Sequence, residues 1–368
     1  MAIATLRTEK KIKPIEAHRP TLTKHELESV LDCLIQDRLG SGQTVERFEK
    51  SLSSTFGYKH VLALNSLASA YHLAFLTLDL GQNDTVLMSA LAPIQACDAA
   101  RYTGASVYLI DVDRNSFHAS MDRVRESIEK IEAEKGRAPA IFILDHTFGS
   151  PSPIDAAYLR EKGIKIVEDF SGLVGTEIGG QFAGNTGAIA VCGLSEYDLI
   201  TTGNGAFAVT SDPKLHAKMH ASRYGSKRGE LSLAYDYRLE DFQAAMGLDQ
   251  LSRLGVNLGR RKKIGQKYLE TLRGTKHETY FNDPGIDAYW KFPIVISRGM
   301  DEVMRYFRSV QIGVSRTIEY PLHHVLGHAR MEFPNVERIY QKSISIPVYP
   351  ALSANNVERI ASSLRGLL

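Results

Sequence analysis

The chain has 368 residues, which is enough for one large domain and one smaller domain. With 43% hydrophobic and 23% charged residues, its composition is ordinary for a soluble globular enzyme. Its 44 basic and 42 acidic side chains leave a net charge of +2, so the charge balance gives no reason to expect nucleic acid or an anionic membrane as a partner.

Four further features of the sequence bear on the class of protein. The basic run from Arg260 to Lys263 lies in a helical pattern, and we expect it to be a solvated helix face. Cys33, Cys97 and Cys192 are far apart, odd in number and each in an apolar stretch, which favours buried free thiols over disulfides. No apolar run approaches the roughly 20 residues of a membrane span, and the N-terminus lacks the apolar core of a secretion signal. We therefore expect a cytoplasmic protein.

The predicted elements begin with two helices, one after the capping-box pair Thr23 and Glu26 and one over 44–52. Short apolar runs then alternate with helical patterns, including helices over 66–78 and 154–162. The strand candidates are 60–64, 85–89, 106–112, 140–145, 164–168, 188–192 and 206–209. This alternation indicates a mostly parallel sheet covered by helices, with no long helix between the last three strands.

The pattern changes at the turn-rich segment 282–285, which follows predicted helices over 241–254 and 260–272. Beyond it we predict strands at 291–296 and 314–318, and helices at 300–310 and 355–367. We therefore divide the chain into a large domain of residues 1–255 and a smaller C-terminal α/β domain of residues 256–368.

Polar residues follow most of the predicted strands of the large domain. They are Asn65, Ser66, Asp111, Asp113, Asp145, His146, Glu168, Asp169 and the segment 193–198. Ligands of open parallel sheets bind beyond the carboxyl ends of the strands, so this edge is the predicted site. The pattern does not identify the chemistry.

Several motifs occur in a familiar order. They are YTGASVYLIDVD at 102–113, IKIVED at 164–169, TTGNG at 201–205, YDYR at 235–238, QAAMGL at 243–248, FPN at 333–335 and SIPVYP at 345–350. Over nearly the whole chain this order resembles the DegT/DnrJ/EryC1/StrS sugar aminotransferases, which are pyridoxal phosphate (PLP) enzymes of fold type I. The resemblance implies an α/β fold with a mostly parallel seven-stranded sheet covered by helices, plus a smaller C-terminal α/β domain.

The resemblance also implies a cofactor site and partners. In this family a lysine forms the internal aldimine with PLP, an aspartate pairs with the pyridine nitrogen, and a Ser-Gly-Thr turn at a helix N-terminus holds the phosphate. The substrates are nucleotide-linked sugars, used for surface polysaccharides or antibiotics. The segment 235–238 resembles one that reaches into the partner subunit's site, which implies a homodimer or a heterodimer with an active paralogue.

The lysine position is the clearest departure from the family. Counting back from the glycine turn at 201–205 places Asp198 there, and no lysine occurs between Lys165 and Lys214. An aspartate carboxylate cannot form an imine, so we expect no internal aldimine and no conventional transamination. The partner of the pyridine nitrogen is kept, as Asp169.

Other positions of the cofactor site depart as well, although Ser66, after Asn65, is kept. The altered positions of the phosphate turn, the ring contacts and the cross-subunit asparagine are Leu67, Ala68, Gly172, Gly193 and Asp236. At about 5 Å and an effective dielectric constant of ~20, a carboxylate at 236 repels each unit of phosphate charge by ~3 kcal/mol. We therefore expect that no cofactor binds, with PLP or pyridoxamine phosphate (PMP) as the disfavoured alternative.

Three hypotheses for function follow. The first is a non-catalytic or repurposed homologue in nucleotide-sugar, surface-polysaccharide or antibiotic-sugar biosynthesis. The second is a PMP-dependent sugar dehydratase, or an atypical aminotransferase, with Asp198 as base. The third is a PLP-independent enzyme that acts on a nucleotide-linked substrate, with Asp198, Asp169 and His323 as acid–base candidates.

A histidine-rich segment is the last candidate site. His324 and His328 are spaced to share a helix face beside His323, but a metal site needs a third ligand and a second shell, so we expect no metal. The stretch from Tyr320 to His323 instead resembles a family loop near the sugar pocket, which makes Tyr320 a ligand-binding candidate.

Overall fold

The computed structural model describes residues 13–224, 235–281, 285 and 288–367. The strands are β1 (His60–Leu64), β2 (Thr85–Ser89), β3 (Ser106–Ile110), β4 (Ile141–Asp145), β5 (Lys165–Asp169), β6 (Glu177–Ile178), β7 (Gln181–Phe182), β8 (Ile189–Gly193), β9 (Ala206–Thr210), β10 (Phe292–Val295), β11 (Ser315–Arg316) and β12 (Ser343–Ile346). All seven strands predicted for the large domain are confirmed, with ends that agree within two residues.

The helices for which the sequence predicts bounds are all present, with differences at some ends. They are α1 (Lys24–Ile35), α2 (Gln43–Phe56), α3 (Leu67–Thr77), α4 (Ile94–Tyr102), α5 (Met121–Lys135), α6 (Ala156–Glu161), α7 (Pro213–Tyr224), α8 (Asp241–Ser252), α9 (Leu254–Leu272), α10 (Met300–Ser309), α11 (Leu322–Val325), α12 (Pro334–Lys342) and α13 (Ala354–Gly366). The capping box between Thr23 and Glu26 is confirmed at the start of α1.

The seven large-domain strands form one sheet in the order β1-β9-β8-β5-β4-β2-β3. All neighbours run parallel except β9, which is antiparallel to both β1 and β8. The exception arises because no helix separates β8 from β9, so the chain returns directly. Six strands consequently end at the same edge, and the mostly parallel sheet predicted from the sequence is confirmed.

A second sheet of three strands lies in the C-terminal part, in the order β10-β12-β11, with both pairings antiparallel. The N-terminal segment reaches this region, because Ile15 forms a bridge with Ile312. The boundary between residues 255 and 256 stays a prediction, although α9 begins beside it. Residues 282–284 of the predicted turn-rich break lie outside the described residues.

The basic run at 260–263 differs from its prediction. Helix α9 begins at Leu254, six residues earlier than predicted, because buried Leu254 and Leu258 compensate for glycines that disfavour a helix. Arg261 is only 6% exposed, and its Nη1 donates to the carbonyls of Trp290, at 3.1 Å, and Val348, at 3.4 Å. The solvated-face prediction is therefore wrong for Arg261, whose guanidinium ties α9 to two distant segments.

The cysteine prediction is confirmed, since Cys33, Cys97 and Cys192 are all free and buried. Across the described residues, none of the helices combines the length and the apolarity needed to cross a membrane.

Two glycines of α9 provide a test of its packing. A Cβ on Gly265 would lie within 2.7 Å of three ring carbons of the buried Tyr289, whereas a Cβ on Gly259 meets no atom within 4 Å. We expect Gly265→Ala to lower the free energy of unfolding by about 1–2 kcal/mol, because overpacking outweighs the helix propensity that alanine adds. Urea unfolding measures the change.

Gly259→Ala is the matched control on the same helix, and it should leave stability unchanged or raise it by up to ~1 kcal/mol. Equal effects of the two substitutions would contradict the packing of Tyr289 against α9.

Candidate functional site

Asp169 ends β5 and lies at the centre of the site. Its carboxylate is 4% exposed and accepts hydrogen bonds from the Ser171 amide at 2.9 Å, the Ser171 hydroxyl at 2.6 Å and the Tyr71 hydroxyl at 2.6 Å. Burial raises the pKa of Asp169, and these hydrogen bonds oppose that rise. Sequence reasoning missed Tyr71, which is fully buried in α3.

Asp198 lies in the loop after β8, close to Asp169. Its Oδ2 accepts the Ser195 amide at 2.6 Å, and burial raises the pKa of Asp198 to about 6. The Gly193 amide donates to Ser171 Oγ at 2.7 Å, and that hydroxyl donates to Asp169, so a chain of hydrogen bonds joins the ends of β8 and β5.

Three of the predicted site residues, Asp198, Gly193 and Leu67, lie close together. A Cβ placed on it would lie 2.9 Å from Asp198 Oδ2 and 3.5 Å from Leu67 Cδ2. The serine usual in the family at this position would therefore displace the Asp198 carboxylate. The structure brings Asp198, Gly193 and Leu67 together.

The N-terminus of α3 forms the next wall of the site. Ser66 is the N-cap, and its Oγ accepts the Ser69 amide at 3.1 Å, while the Ser69 hydroxyl donates to Asn65 Oδ1 at 2.6 Å. Ala68, in the first turn, is partly buried. Amides at a helix N-terminus attract anions, and the phosphate contact at this end of the site stays a prediction.

Asp236 lies beside this helix end in the same chain, since Asn65 Nδ2 donates to the Asp236 carbonyl at 3.1 Å. The exposed Asp236 carboxylate accepts two hydrogen bonds from Arg238, at 2.8 and 3.0 Å, which lower the pKa of Asp236. The Arg238 guanidinium offsets the negative charge, so the repulsion of a phosphate is smaller than a bare carboxylate implies.

Gly172 follows Asp169 and packs directly against another backbone. A Cβ on it would lie 2.8 Å from the Gly149 nitrogen and 3.0 Å from the Gly149 Cα. The glutamine or histidine usual in the family therefore cannot enter without moving the main chain. Gly172 is part of the site's wall and provides no side chain to it.

Lys291 is a functional candidate that sequence reasoning missed. It directly precedes β10, and the neighbouring Trp290 Nε1 donates to the Tyr197 carbonyl at 3.3 Å, beside Asp198. Lys291 lines a small cavity of about 20 Å³ together with Tyr197 and Arg261. Burial lowers the pKa of Lys291, and the Asp198 carboxylate opposes this shift.

His323 does not join this cluster through any contact of the described residues. Its ring is fully buried, stacks on Phe333 with centroids 4.7 Å apart, and lies 3.0 Å from Glu337 Oε1 through Nε2. Burial lowers the pKa of His323, and Glu337 opposes that shift. Tyr320, the other candidate of this loop, is 74% exposed.

The histidine-rich segment gains a third polar partner from outside the loop. His324 also contacts the Glu337 carboxylate, and the ligand atoms of His323, His324 and Glu337 lie within 4.8 Å of one another. The predicted shared face of His324 and His328 is wrong, because α11 ends at Val325. The absence of a metal stays a prediction.

Comparisons with known proteins find relatives that match this chain over nearly the whole length of both proteins. The chain is 25% identical to GDP-perosamine synthase of Caulobacter vibrioides over 96% of this chain and 98% of that protein. It is 24% identical to the spore coat polysaccharide biosynthesis protein SpsC of Bacillus subtilis, over 95% and 96% of the two chains. The putative sugar aminotransferase Spr1654 of Streptococcus pneumoniae superposes with a TM-score of 0.86 at 20% identity, covering 96% of this chain and 98% of that one.

The expectation that no cofactor binds is wrong. Spr1654 has been solved in both a PLP-form and a PMP-form, and these findings point to a cofactor of the pyridoxal type. The expectation rests on the altered positions alone, whereas the structure keeps the buried Asp169 carboxylate and the N-terminus of α3 at the same edge of the sheet.

The family model for DegT/DnrJ/EryC1/StrS aminotransferases matches residues 20–365, which is nearly the whole chain. The structural superposition extends over the same span and carries the fold type I architecture. The chain belongs to the DegT/DnrJ/EryC1/StrS aminotransferase family.

Proposed function

We propose that this protein modifies a nucleotide-linked sugar with a pyridoxal-type cofactor, and that Asp198 acts as an acid–base group where relatives carry a lysine. The observation that carries the proposal is the pair of carboxylates, Asp169 and Asp198, at the carboxyl ends of β5 and β8. The relative named GDP-perosamine synthase supports a nucleotide-linked sugar as the substrate class.

Two groups of residues at the sheet edge fit such a cofactor, one at its ring nitrogen and one at its phosphate. The Asp169 carboxylate is suited to a protonated ring nitrogen, although the Tyr71 hydroxyl shares its Oδ2. Ser66 and the first amides of α3 are suited to a phosphate group. When bound, a pyridoxal-type cofactor supplies an electron sink for carbanion chemistry.

Asp198 has the properties of a group that exchanges protons near neutral pH. A carboxyl group with a pKa of about 6 is close to the range in which general acid–base catalysis is most effective. The Ser195 amide holds the carboxylate in place by donating to Oδ2 at 2.6 Å. Because a carboxylate cannot form an imine, Asp198 does not anchor the cofactor covalently.

Assembly is part of the proposal. The segment around Asp236 resembles the family segment that enters a partner subunit's site, which supports a homodimer or a pairing with an active paralogue. The described contact of Asp236 with Asn65 lies within one chain and does not bear on this point.

Binding of PMP and PLP tests the proposal. In isothermal titration calorimetry we expect saturable binding of at least one of them with micromolar affinity. Asp169→Asn should weaken that affinity about tenfold or more, because the buried charge opposite the ring nitrogen is lost. Asp122→Asn, at a carboxylate that is 91% exposed, is the control and should bind as the native protein does. If neither compound binds at millimolar concentration, the proposed function is wrong.

The unusual protonation of Asp198 predicts a pH-dependent stability. The pKa of Asp198 is about 6 in the folded protein and 3.8 in the reference state. Raising the pH from 4 to 6 therefore lowers the free energy of unfolding, because ionisation of this carboxyl group costs more in the folded protein than in the unfolded one. Asp198→Asn removes this cost. We expect the variant to gain roughly 1–3 kcal/mol over the native protein at pH 7.5, and much less at pH 4.5. Urea unfolding at the two pH values measures the difference, and a gain independent of pH would contradict the raised pKa.

A further inference from the structure

Three side chains that the proposed function does not use converge between α11 and α12. His323 and His324 lie on α11, and Glu337 lies in the first turn of α12. Glu337 Oε1 lies 3.0 Å from His323 Nε2 and also contacts His324 Nε2. The ligand atoms of all three lie within 4.8 Å of one another. Two separate segments thus present two imidazoles and one carboxylate to the same point.

The spacing of these atoms is compatible with a metal ion. Zinc binds imidazole nitrogen and carboxylate oxygen at about 2.0–2.2 Å, so two of its tetrahedral ligand atoms lie roughly 3.4 Å apart. The 3.0 Å between His323 Nε2 and Glu337 Oε1 is close to that separation. The His323 side chain is fully buried, whereas that of His324 is 19% exposed, so the His324 ring has room to turn toward an ion.

Neighbouring residues hold two of the ligands in place. Glu337 Oε2 accepts a hydrogen bond from Gln341 Nε2 at 2.7 Å, which orients Oε1 toward the histidines. The His323 ring stacks on Phe333, but His323 Nδ1 is buried and has no hydrogen-bond partner among the described residues. Since an outer-shell partner typically contributes tenfold or more to metal affinity, we expect micromolar binding.

The start of α12 is fixed next to these ligands. The Asp111 carboxylate accepts the Asn335 amide at 3.1 Å and the Val336 amide at 2.9 Å, and Glu337 is the next residue. Arg330 is a competing cation, with Nε 3.9 Å from Glu337 Oε1 and a side chain that is 70% exposed. Exposed ion pairs are weak, so the Arg330 side chain can move into solvent when an ion binds.

We propose that His323, His324 and Glu337 form a site for a divalent transition-metal ion, with zinc as the expected occupant. Two imidazoles and a carboxylate leave a fourth position for water and suit zinc, whereas magnesium and calcium prefer oxygen ligands. The sequence-based expectation of no metal rests on the lack of a third ligand, and Glu337 supplies one from 13 residues beyond His324. The inference does not depend on the proposed function.

The ion would tie a short helix to the rest of the molecule. Helix α11 has only four residues, too few to be stable alone, and its first amide, of Leu322, donates to the Ala90 carbonyl at 3.1 Å. A metal between α11 and α12 would hold this helix against the loop that follows β2.

Zinc titration of the untagged, chelator-treated protein tests the proposal. In isothermal titration calorimetry we expect one zinc ion per chain with a micromolar Kd, and zinc in excess should raise the Tm by a few degrees. Magnesium at millimolar concentration should give no saturable heat. X-ray absorption of the zinc-loaded protein should show imidazole nitrogens at about 2.0 Å.

Three variants make the result specific. His324→Gln and Glu337→Gln should each weaken zinc binding about tenfold or more, because each removes one of the three ligands. His328→Gln, at an exposed histidine of the same loop that is not among the three ligands, should bind zinc as the native protein does. Circular dichroism without zinc checks that each variant is folded, and if one ligand variant does not fold, the other decides.

Another group of histidines offers a competing explanation for zinc binding. The rings of His60 and His216 stack with centroids 4.7 Å apart, and His220 follows one turn later on α7. Zinc binding that is kept in His324→Gln and lost in His216→Gln would overturn the proposal. The absence of saturable binding at submillimolar zinc, or a zinc ion with oxygen neighbours alone, would overturn it as well.

Discussion

The architecture of the site depends on the cost of burying carboxylates at one edge of a sheet, where Asp169 is buried and Asp198 is half-buried. An unpaired buried charge is expensive, so each carboxylate must find hydrogen-bond donors or become protonated. Asp169 obtains donors from Ser171 and Tyr71, whereas Asp198 obtains chiefly the Ser195 amide and has its pKa raised to about 6. The two aspartates therefore differ in their partners: Asp169 accepts three hydrogen bonds that oppose the rise of its pKa, and Asp198 is held, within the described part of the chain, by Ser195 alone.

The same constraint explains why the substitutions around the site belong together. Gly193 leaves room for the Asp198 carboxylate, and Leu67 covers the space beside it. Arg238 offsets the charge of Asp236 beside the N-terminus of α3. Each change looks like a loss when it is compared with the family position by position. In the structure the carboxylate of Asp236 is paired with Arg238, and that of Asp198 has a raised pKa.

Much of the fold could be predicted from the sequence, because the strands are continuous apolar runs and the helices carry recognisable starts. Prediction failed where tertiary contacts override local preference. Arg261 is buried because three carbonyls of distant segments accept from it, and α9 runs through glycines because its leucines pack on the core. No local pattern reports either contact.

For the site, the sequence pattern places Asp169, Asp198, Gly193 and Leu67 after strands or at the start of a helix, and the structure brings these residues to one edge of the sheet. Their roles stay predictions. No sequence pattern indicates Tyr71 or Lys291, because one lies inside α3 and the other precedes a strand of a different sheet. His323 was favoured by a loop motif, but its described partners are Glu337, His324 and Phe333.

The contact between Gly172 and Gly149 limits which residues either position can hold. Since a side chain at Gly172 would strike the Gly149 backbone, and one at Gly149 would strike the Gly172 carbonyl, the two loops must separate before either glycine can be replaced. A glutamine or histidine at position 172 therefore requires a movement of the backbone at Gly149, so a single substitution there is more costly than one at a position whose surroundings are open.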